Sequence, residues 1–251
     1  MPVDEPAGSA LTPRVIHDDD AIVVVDKPAG VPSVPARSPH DPPAVSVLLG
    51  TRYGPLEAVH RIDRDTSGIL VLARTAAARA ALGRMFERRL VVKRYLGIVA
   101  GPLATSGTIH QPLAADPDRP PRQRVDPIAG RRAETRWRVV ASAAVGRDGA
   151  LTLLDLEPVT GRSHQLRAHL AWLGAALLGD RLYGGAACDR LALHAARLVL
   201  PHPDGRGPCE FVAPPPGTWP WTLFSGPPTE PTDAAPRREP PASSARSGPG
   251  R

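Results

Sequence analysis

Cysteine and lysine are scarce in this chain of 251 residues. The two cysteines, Cys188 and Cys209, are too few for a disulfide scaffold and lack the C-x-x-C spacing of a zinc site, so we expect free thiols in a reducing cytoplasm. No apolar run approaches the roughly 20 residues of a membrane span. The N-terminus also lacks the apolar segment of a signal peptide, and the sequence therefore predicts neither secretion nor membrane insertion.

Positive charge comes almost wholly from arginine. Lys27 and Lys93 are the only lysines among 31 basic residues, which outnumber 25 acidic residues and give a net charge of +6. This balance is typical of proteins that meet phosphates, as nucleic-acid-binding proteins do. A gene rich in G and C also produces much Arg, Ala, Pro and Gly, so the charge alone leaves both explanations open.

The two ends of the chain are poor in large apolar residues. From Ser225 onwards there is no aromatic residue and no aliphatic residue larger than alanine, so this stretch cannot repay the entropy cost of ordering. Residues 1–13 are similar in character. We predict disorder over 1–13 and 225–251, with one folded domain over 14–224 that carries any activity.

Apolar patterning predicts a sheet with two helices. Strands are predicted over 21–25, 69–73, 95–99, 135–140, 151–156 and 191–200. One helix is predicted over 75–89 behind an N-cap at Thr75, and another over 163–173, where Gly174 stops it. Because the strands cluster without regular helical crossovers, we predict an α+β fold with a mixed, mainly antiparallel central sheet flanked by helices and loops. The Pro- and Arg-rich stretch 114–133 is predicted to be a long basic loop.

A polar segment, HRIDRDTSG at 60–68, runs directly into the apolar strand predicted at 69–73. A loop held against a rigid strand is a usual seat of catalytic groups. A plain turn explains the same residues, since Asp63 and Asp65 can bond their own backbone and Gly68 can supply a special dihedral angle. Residue chemistry alone therefore favours a turn.

An ordered set of motifs resembles those of the RluA-type pseudouridine synthases. Segment 60–68 resembles the family motif H-R-L-D-x-x-T-S-G, with isoleucine at position 62. Further matches are the strand and K-P-x-G turn at 22–31, K-x-Y at 93–95, and TGRSHQLRAHL at 160–170. Gly179-Asp180 to Tyr183-Gly184 and Leu193-His194-Ala195 fit the closing motifs. The similarity spans about residues 14 to 215, and the full ordered set is highly specific.

The resemblance implies an RNA pseudouridine synthase, an isomerase that breaks the bond from uracil N1 to ribose C1′ and rejoins the base through C5. Asp63 would be the carboxylate that either attacks C1′ or removes the 2′ proton. One carboxylate can suffice, unlike in a glycosidase, because no water attacks. Arg167 would pair with Asp63 and orient it. Tyr95 would stack on the uracil, and its phenolate could accept the C5 proton if the site lowered its pKa from about 10.

The resemblance also implies substrate contacts around these three residues. The residues concerned are His60, Arg61, Lys93, Gly161, Arg162, His164 and Gln165. The arginines of segment 114–133 are further candidates for phosphate contacts, although a solvated loop explains them equally well; they are Arg119, Arg122, Arg124, Arg131 and Arg132. A uridine must leave its stack to react, so the expected substrate is an RNA loop.

The motifs are most similar to those of the short, dual-specificity branch of the family, which has no S4 RNA-binding domain. About 14 residues precede the first family strand here, so we expect no such domain. This branch acts on large-subunit ribosomal RNA and on a transfer RNA anticodon stem-loop. A family member with a different rRNA or tRNA site remains an alternative, since the motifs surround the common chemistry. We expect a cytoplasmic monomer that needs no cofactor, metal or membrane.

Other classes of protein fit parts of the sequence. Asp63-x-Asp65-x-Ser67 is similar to the D-x-D-x-T motif of Mg²⁺-dependent aspartyl phosphatases, but that motif follows an apolar strand, whereas here the strand comes afterwards. His60 and His194 also invite a metal site, yet His164 and His169 are five residues apart, off the face used by H-E-x-x-H, with no Glu between them. A non-catalytic RNA-binding or ribosome-assembly protein on the same fold is the last alternative. The coexistence of Asp63, Tyr95 and Arg167 favours an enzyme.

Overall fold

The chain is described by a computed structural model that covers residues 11–35, 42–147 and 149–224. The disorder predicted for 225–251, and for most of 1–13, falls outside these residues. Among the described residues, no helix is long and apolar enough to cross a membrane.

Ten of the twelve strands found in the described residues form one mixed sheet. The strands are β1 (Arg14–Asp18), β2 (Ile22–Lys27), β3 (Glu57–Ala58), β4 (Ser67–Ala73), β5 (Val92–Ala100), β6 (Ser106–Ile109), β7 (Leu113–Ala115), β8 (Gln123–Val125), β9 (Thr135–Val145), β10 (Gly149–Pro158), β11 (Leu193–Pro201) and β12 (Pro208–Val212). The sheet order is β1-β2-β4-β11-β5-β10-β9-β6, with β3 added to β4 and β12 added to β11. Strands β4 and β11 are parallel, and the other named pairs are antiparallel. The predicted α+β class is confirmed.

Within the part of the chain that the structure describes, three helices and a short 3₁₀ turn accompany the sheet. They are α1 (Val45–Tyr53), α2 (Ala76–Glu87), α3 (Gln165–Trp172) and the turn Trp221–Phe224. Helix α2 starts behind Thr75, whose hydroxyl accepts a hydrogen bond from the Ala78 N–H at 3.1 Å, as the sequence predicts. Helix α3 begins two residues later than predicted, because His164 adopts a left-handed conformation with φ of 51°.

The structure of segment 114–133 differs from its prediction. The prediction of a long loop is wrong, because β7 and β8 pair as a separate antiparallel hairpin, with Leu113 opposite Val125. Each strand has only three residues, too few to display the apolar alternation that marks a strand. The hairpin is a defined element that can present its arginines in fixed positions.

Strands β2 and β4 are buried on both faces. Ile22 and Val24 of β2 pack in one core cluster with Leu82 of α2, whereas Val23 and Val25 pack in another with Leu49 of α1. All seven residues of β4 are buried. Burial on both faces explains why these two strands read as continuous apolar runs in the sequence. The strand that follows segment 60–66 is therefore a rigid platform.

Gly68 lets β4 approach β11 closely. Its φ is +108°, and a Cβ built there would lie 2.3 Å from the carbonyl oxygen of Ala195. Only glycine fits this contact without a shift of the backbone. The parallel pairing of Gly68 with Ala195 fixes the point at which segment 60–66 enters the sheet.

Candidate active site

Segment 60–66 is held in place by contacts with residues from other parts of the chain. The His60 ring stacks on Phe86 of α2 at 4.7 Å between centroids, and its Nε2 accepts a hydrogen bond from the Val71 N–H at 2.9 Å. Burial, together with the charge of Lys93, lowers the pKa of His60 to about 3, so the ring is neutral and can accept. Ser33 bonds both backbone groups of Ile62, at 2.7 and 3.2 Å.

A buried lysine fastens the other side of the same segment. Lys27 Nζ donates to the carbonyl oxygens of Pro28, Val31 and Arg64 at 2.9, 2.7 and 2.9 Å. The Gly30 N–H reaches the same Arg64 carbonyl at 2.8 Å. Burial lowers the Lys27 pKa to about 7, against the opposing charges of Asp65, Asp63 and Asp26. The K-P-x-G motif thus ties the opening turn to the segment that carries Asp63, a role the sequence analysis did not assign to Lys27.

Asp63 faces an arginine that is itself anchored. Arg167 Nη1 lies 3.3 Å from Asp63 Oδ2, while its Nε and Nη2 both donate to Asp180 at 2.8 Å. The Asp180 side chain is fully buried, and the Asp63 side chain keeps 20% exposure. Burial opposes the charge on Arg167, but the hydrogen bond and charge of Asp180 and the charge of Asp63 raise its pKa. Asp180 therefore fixes the guanidinium, and Asp63 remains the accessible member of the chain of three.

His164 also lies beside Asp63, and Tyr183 contacts both His164 and Arg167. His164 Nε2 is 3.9 Å from Asp63 Oδ1, and its Nδ1 is 3.2 Å from the Tyr183 hydroxyl. Burial lowers the His164 pKa, although the Asp63 charge opposes the shift. The Tyr183 hydroxyl also accepts from the Gln123 N–H of β8 at 2.8 Å, and its ring lies 5.2 Å from the Arg167 guanidinium carbon. Tyr183 therefore links the β7–β8 hairpin to the site.

Gln165 and Ser67 serve the frame of the site. The Gln165 side chain accepts from the Thr160 hydroxyl at 2.6 Å and donates to the Glu134 carbonyl at 2.8 Å, so its amide is committed within the protein. Ser67 bonds His194 Nδ1 at 2.8 Å, which ties β4 to β11 a second time. The sequence predicts Gln165 as a substrate contact, and its geometry fits a positioning role better.

Tyr95 stands on β5 with a raised pKa. Burial raises it above its ordinary value, and the charge of Asp63 raises it further. A phenolate role for Tyr95 requires a lowered pKa, whereas the site raises the pKa of this residue. The neutral phenol leaves its ring as the group available for stacking on a base.

One cavity of about 590 Å³ gathers the predicted site residues. All ten of them line it: His60, Arg61, Asp63, Lys93, Tyr95, Gly161, Arg162, His164, Gln165 and Arg167. Arg89 and Arg131 also line it, which makes its wall strongly basic. Arg89 follows α2 with φ of 58° and was missed, since it belongs to no motif. Asp65 lines only a second, adjoining cavity that shares Asp63 and Arg167 with the first.

The chain belongs to the RNA pseudouridylate synthase family, whose model matches residues 21–172. It is 39% identical over 202 residues to the dual-specificity RNA pseudouridine synthase RluA of Yersinia pestis, covering 78% of this chain and 96% of the relative. Identity to the protein of the same name from Escherichia coli K12 is 40% over 205 residues, covering 80% and 92%.

Solved structures agree with this family. Human RNA pseudouridylate synthase domain containing 1 matches with a TM-score of 0.72 and 26% identity, over 85% of this chain and 87% of that one. The domain containing 4 protein matches with a TM-score of 0.67 and 25% identity, over 82% and 90%. The chain is therefore an RNA pseudouridine synthase, an isomerase that acts on RNA, and the predictions of fold and activity are confirmed.

Proposed function

We propose that this enzyme uses Asp63 as its catalytic carboxylate. The observation that carries the proposal is the ion pair of Asp63 with Arg167, which Asp180 anchors from behind. A guanidinium with two of its nitrogens already committed offers the third in a fixed direction. Asp63 is thereby aimed at one point of the cavity, where a reacting carbon must sit.

The chemistry follows from a uridine placed in that cavity. Asp63 either attacks ribose C1′ or removes the 2′ proton, and the bond from C1′ to uracil N1 breaks. The detached base turns between the cavity walls, with Tyr95 as the stacking surface, and rejoins through C5. The volume of about 590 Å³ lies within the roughly 300–1,000 Å³ of small-molecule sites. This room supports a flipped nucleotide rather than an intact helix.

The reaction at Asp63 needs no metal or cofactor. The base stays in the cavity and no water attacks, so a second carboxylate acting as general acid is not required. Besides Asp63, the acidic residue lining this cavity is Glu87, which is exposed at the end of α2. The proposed mechanism therefore uses one carboxylate, Asp63, and one arginine, Arg167.

Asp63→Asn tests the assignment, with Asp65→Asn as the matched control. The amide keeps the shape and removes the nucleophile or base, so we expect product formation to vanish while RNA affinity stays close to that of wild type. The Asp65 side chain is 49% exposed and lines only the second cavity, so its amide variant should form product normally. Pseudouridine and RNA-binding assays run in parallel decide the matter, and undiminished product from Asp63→Asn would overturn the mechanism.

We propose large-subunit ribosomal RNA and a transfer RNA anticodon stem-loop as the substrates. The curated relatives are named dual-specificity enzymes, and about 40% identity over most of the chain supports the same breadth here. Phosphates of a loop can lie on the basic wall that Arg61, Lys93 and Arg162 supply. Pseudouridine mapping in a deletion strain should show a lost site in each RNA pool. Loss at other uridines would indicate a family member of different specificity, and loss in neither pool would contradict the proposal.

We further propose that the enzyme works as a cytoplasmic monomer. Its RNA substrates are found in that compartment, and Cys188 and Cys209 are both free thiols.

A further inference from the structure

A cluster of two histidines and one carboxylate lies outside both cavities, where two turns of the sheet meet. His17 is in β1, Asp19 follows it, and His202 follows β11. Nε2 of His17 and Nε2 of His202 lie 2.8 and 2.9 Å from the same Asp19 oxygen, Oδ2. We propose that these three side chains bind one divalent transition-metal ion of the Zn²⁺ class.

The carboxylate of this cluster has a fixed orientation. Its other oxygen, Oδ1, accepts hydrogen bonds from the backbone N–H groups of Ala21 and Ile22 at 2.8 and 2.9 Å. Burial alone would raise the Asp19 pKa, but hydrogen bonds from His17, these two backbone groups and His202 hold it well below its usual range. Asp19 is therefore an ionised ligand whose Oδ2 points at both imidazoles.

His202 also has a fixed ring. Its side chain is 3% exposed, and its Nδ1 is hydrogen-bonded to Asp204, which Arg206 Nε holds in turn at 2.7 Å. A carboxylate behind the distal nitrogen is the arrangement that orients metal-bound histidines, because it keeps the proton on that nitrogen and turns the other one to the metal. Asp204 would serve His202 in this way.

The spacing suits the ion. The ligand atoms of His17, Asp19 and His202 all lie within 4.8 Å of one another. Zinc bonds of about 2.0–2.2 Å in a tetrahedron separate ligand atoms by roughly 3.3 Å. The two distances from a histidine nitrogen to Asp19 Oδ2 must therefore lengthen by about half an ångström, and the two histidine nitrogens, which lie within 4.8 Å of each other, must come to the same separation. The His17 side chain is 36% exposed and can move outwards by that amount. Arg206 Nη2, 3.3 Å from Asp19 Oδ2, must leave that oxygen, which its 59% exposure permits.

The ligand set selects the kind of metal. Two imidazole nitrogens and one carboxylate oxygen suit Zn²⁺, Co²⁺ and their neighbours, whereas Mg²⁺ and Ca²⁺ favour oxygen alone. Water completes the coordination. The ion would join the turn after β1 to the turn after β11, and it would stabilise the folded chain in proportion to its occupancy. The sequence predicts no metal for this protein, from the spacing of His60, His164, His169 and His194. The proposed site departs from that prediction, because it uses His17 and His202, which lie far apart in the sequence and meet only in the fold.

Metal titration of the full, tag-free chain after chelator treatment tests the site. We expect calorimetry to give one Zn²⁺ per chain with a raised melting temperature, and Co²⁺ to give the visible absorption of a tetrahedral site. His17→Gln should weaken Zn²⁺ binding at least about 100-fold and abolish that absorption, since a ligand is lost while glutamine can still hydrogen-bond Asp19. The control is His110→Gln, at a histidine side chain that is 66% exposed outside the cluster, and it should bind as wild type does.

Asp204→Ala adds a second measurement that leaves all three ligands in place. It should weaken Zn²⁺ binding about 10-fold, because the His202 ring loses its orienting partner. Absence of one-to-one binding in the wild type would overturn the proposal and leave the cluster as a hydrogen-bonded clamp between two turns. Equal Zn²⁺ affinity in wild type and His17→Gln would overturn it too, even if some metal binds elsewhere.

Discussion

At the scale of single residues, the site depends on charges that are buried in pairs. Arg167 is held by Asp180 through two bonds of 2.8 Å and reaches Asp63 through one of 3.3 Å. The proposed catalytic residue, Asp63, is thus the weaker partner of the arginine, and the stronger partner, Asp180, is buried. Asp180 therefore positions the guanidinium, and Asp63 is left for the proposed reaction.

The substitution Asp180→Asn tests whether Asp180 positions Arg167. The substitution leaves the Arg167 charge buried with half of its compensation, and breaking such a pair costs about 3–5 kcal/mol of unfolding free energy. We also expect turnover to fall strongly with little change in RNA affinity, since Arg167 no longer aims Asp63. Urea unfolding and single-turnover assays measure the two effects. Glu210→Gln, at an exposed pair with Arg197, is the control and should change neither.

Lys27 gives the protein a pH dependence of known sign. Its pKa falls from 10.5 to about 7 on folding, so between these values the unfolded chain binds a proton that the folded chain has lost. The free energy of unfolding should therefore rise as the pH goes from 7 towards 10. Urea unfolding across this range should show a smaller rise in Lys27→Met than in wild type. Equal slopes for the two proteins would contradict the assignment.

At the scale of elements, the β7–β8 hairpin is the part that RNA contacts should reveal. Arg119 and Arg124 are exposed there, whereas Arg122 packs over the Tyr183 ring at 5.0 Å. We expect the double variant Arg119→Ala, Arg124→Ala to lower RNA affinity and to reduce the slope of log K against log salt by up to about 1.4, at roughly 0.7 per phosphate contact on a single strand.

Binding measured at several salt concentrations checks this prediction. Arg147→Ala, on the exposed turn between β9 and β10, is the control and should leave the slope unchanged. An unchanged slope in the double variant would mean that the hairpin is a solvated surface, the alternative that the sequence leaves open.

The predictability of the elements follows from their length and burial. All six predicted strands and both predicted helices are present, because runs such as Ile69–Ala73 and the Thr75 cap carry strong local signals. Helix α1 was missed since only Val45 and Leu49 of its nine residues are buried, which leaves a weak apolar stripe. The start of α3 was misplaced because nothing in the sequence marks the left-handed His164.

At the scale of the whole molecule, the candidate site was predictable from motifs and not from residue chemistry. The ten predicted residues do line one cavity, yet segment 60–68 taken alone favours a turn. The other features of the site appear only in the three-dimensional structure. They are the two hydrogen bonds between Arg167 and Asp180, the hydrogen bond from Lys27 to the Arg64 carbonyl, and the position of Arg89 in the cavity wall. These contacts join residues far apart in the chain, so no local pattern reports them.

The whole molecule should also be a monomer. Its most exposed large apolar side chain among the described residues is Ile128, at 97%, on the β8–β9 connection. Others, such as Val47 on α1 and Trp172 on α3, belong to separate elements. Exposed apolar residues on separate elements do not by themselves require a partner to cover them. Sedimentation should give a mass near 26.5 kDa at all concentrations, and a mass that grows with concentration would contradict this.

The ion pair between Asp63 and Arg167 spans 104 positions of the chain, and Asp180 lies further still towards the C-terminus. Contacts between residues so far apart in the sequence form late in folding, because a large loop must close, at a cost in entropy, before the contact can form. During synthesis, a growing chain therefore carries the proposed catalytic carboxylate of Asp63 long before it carries Arg167 and Asp180. An unfinished polypeptide on the ribosome lacks the assembled site, and activity towards RNA begins only when almost the whole domain has been made and folded.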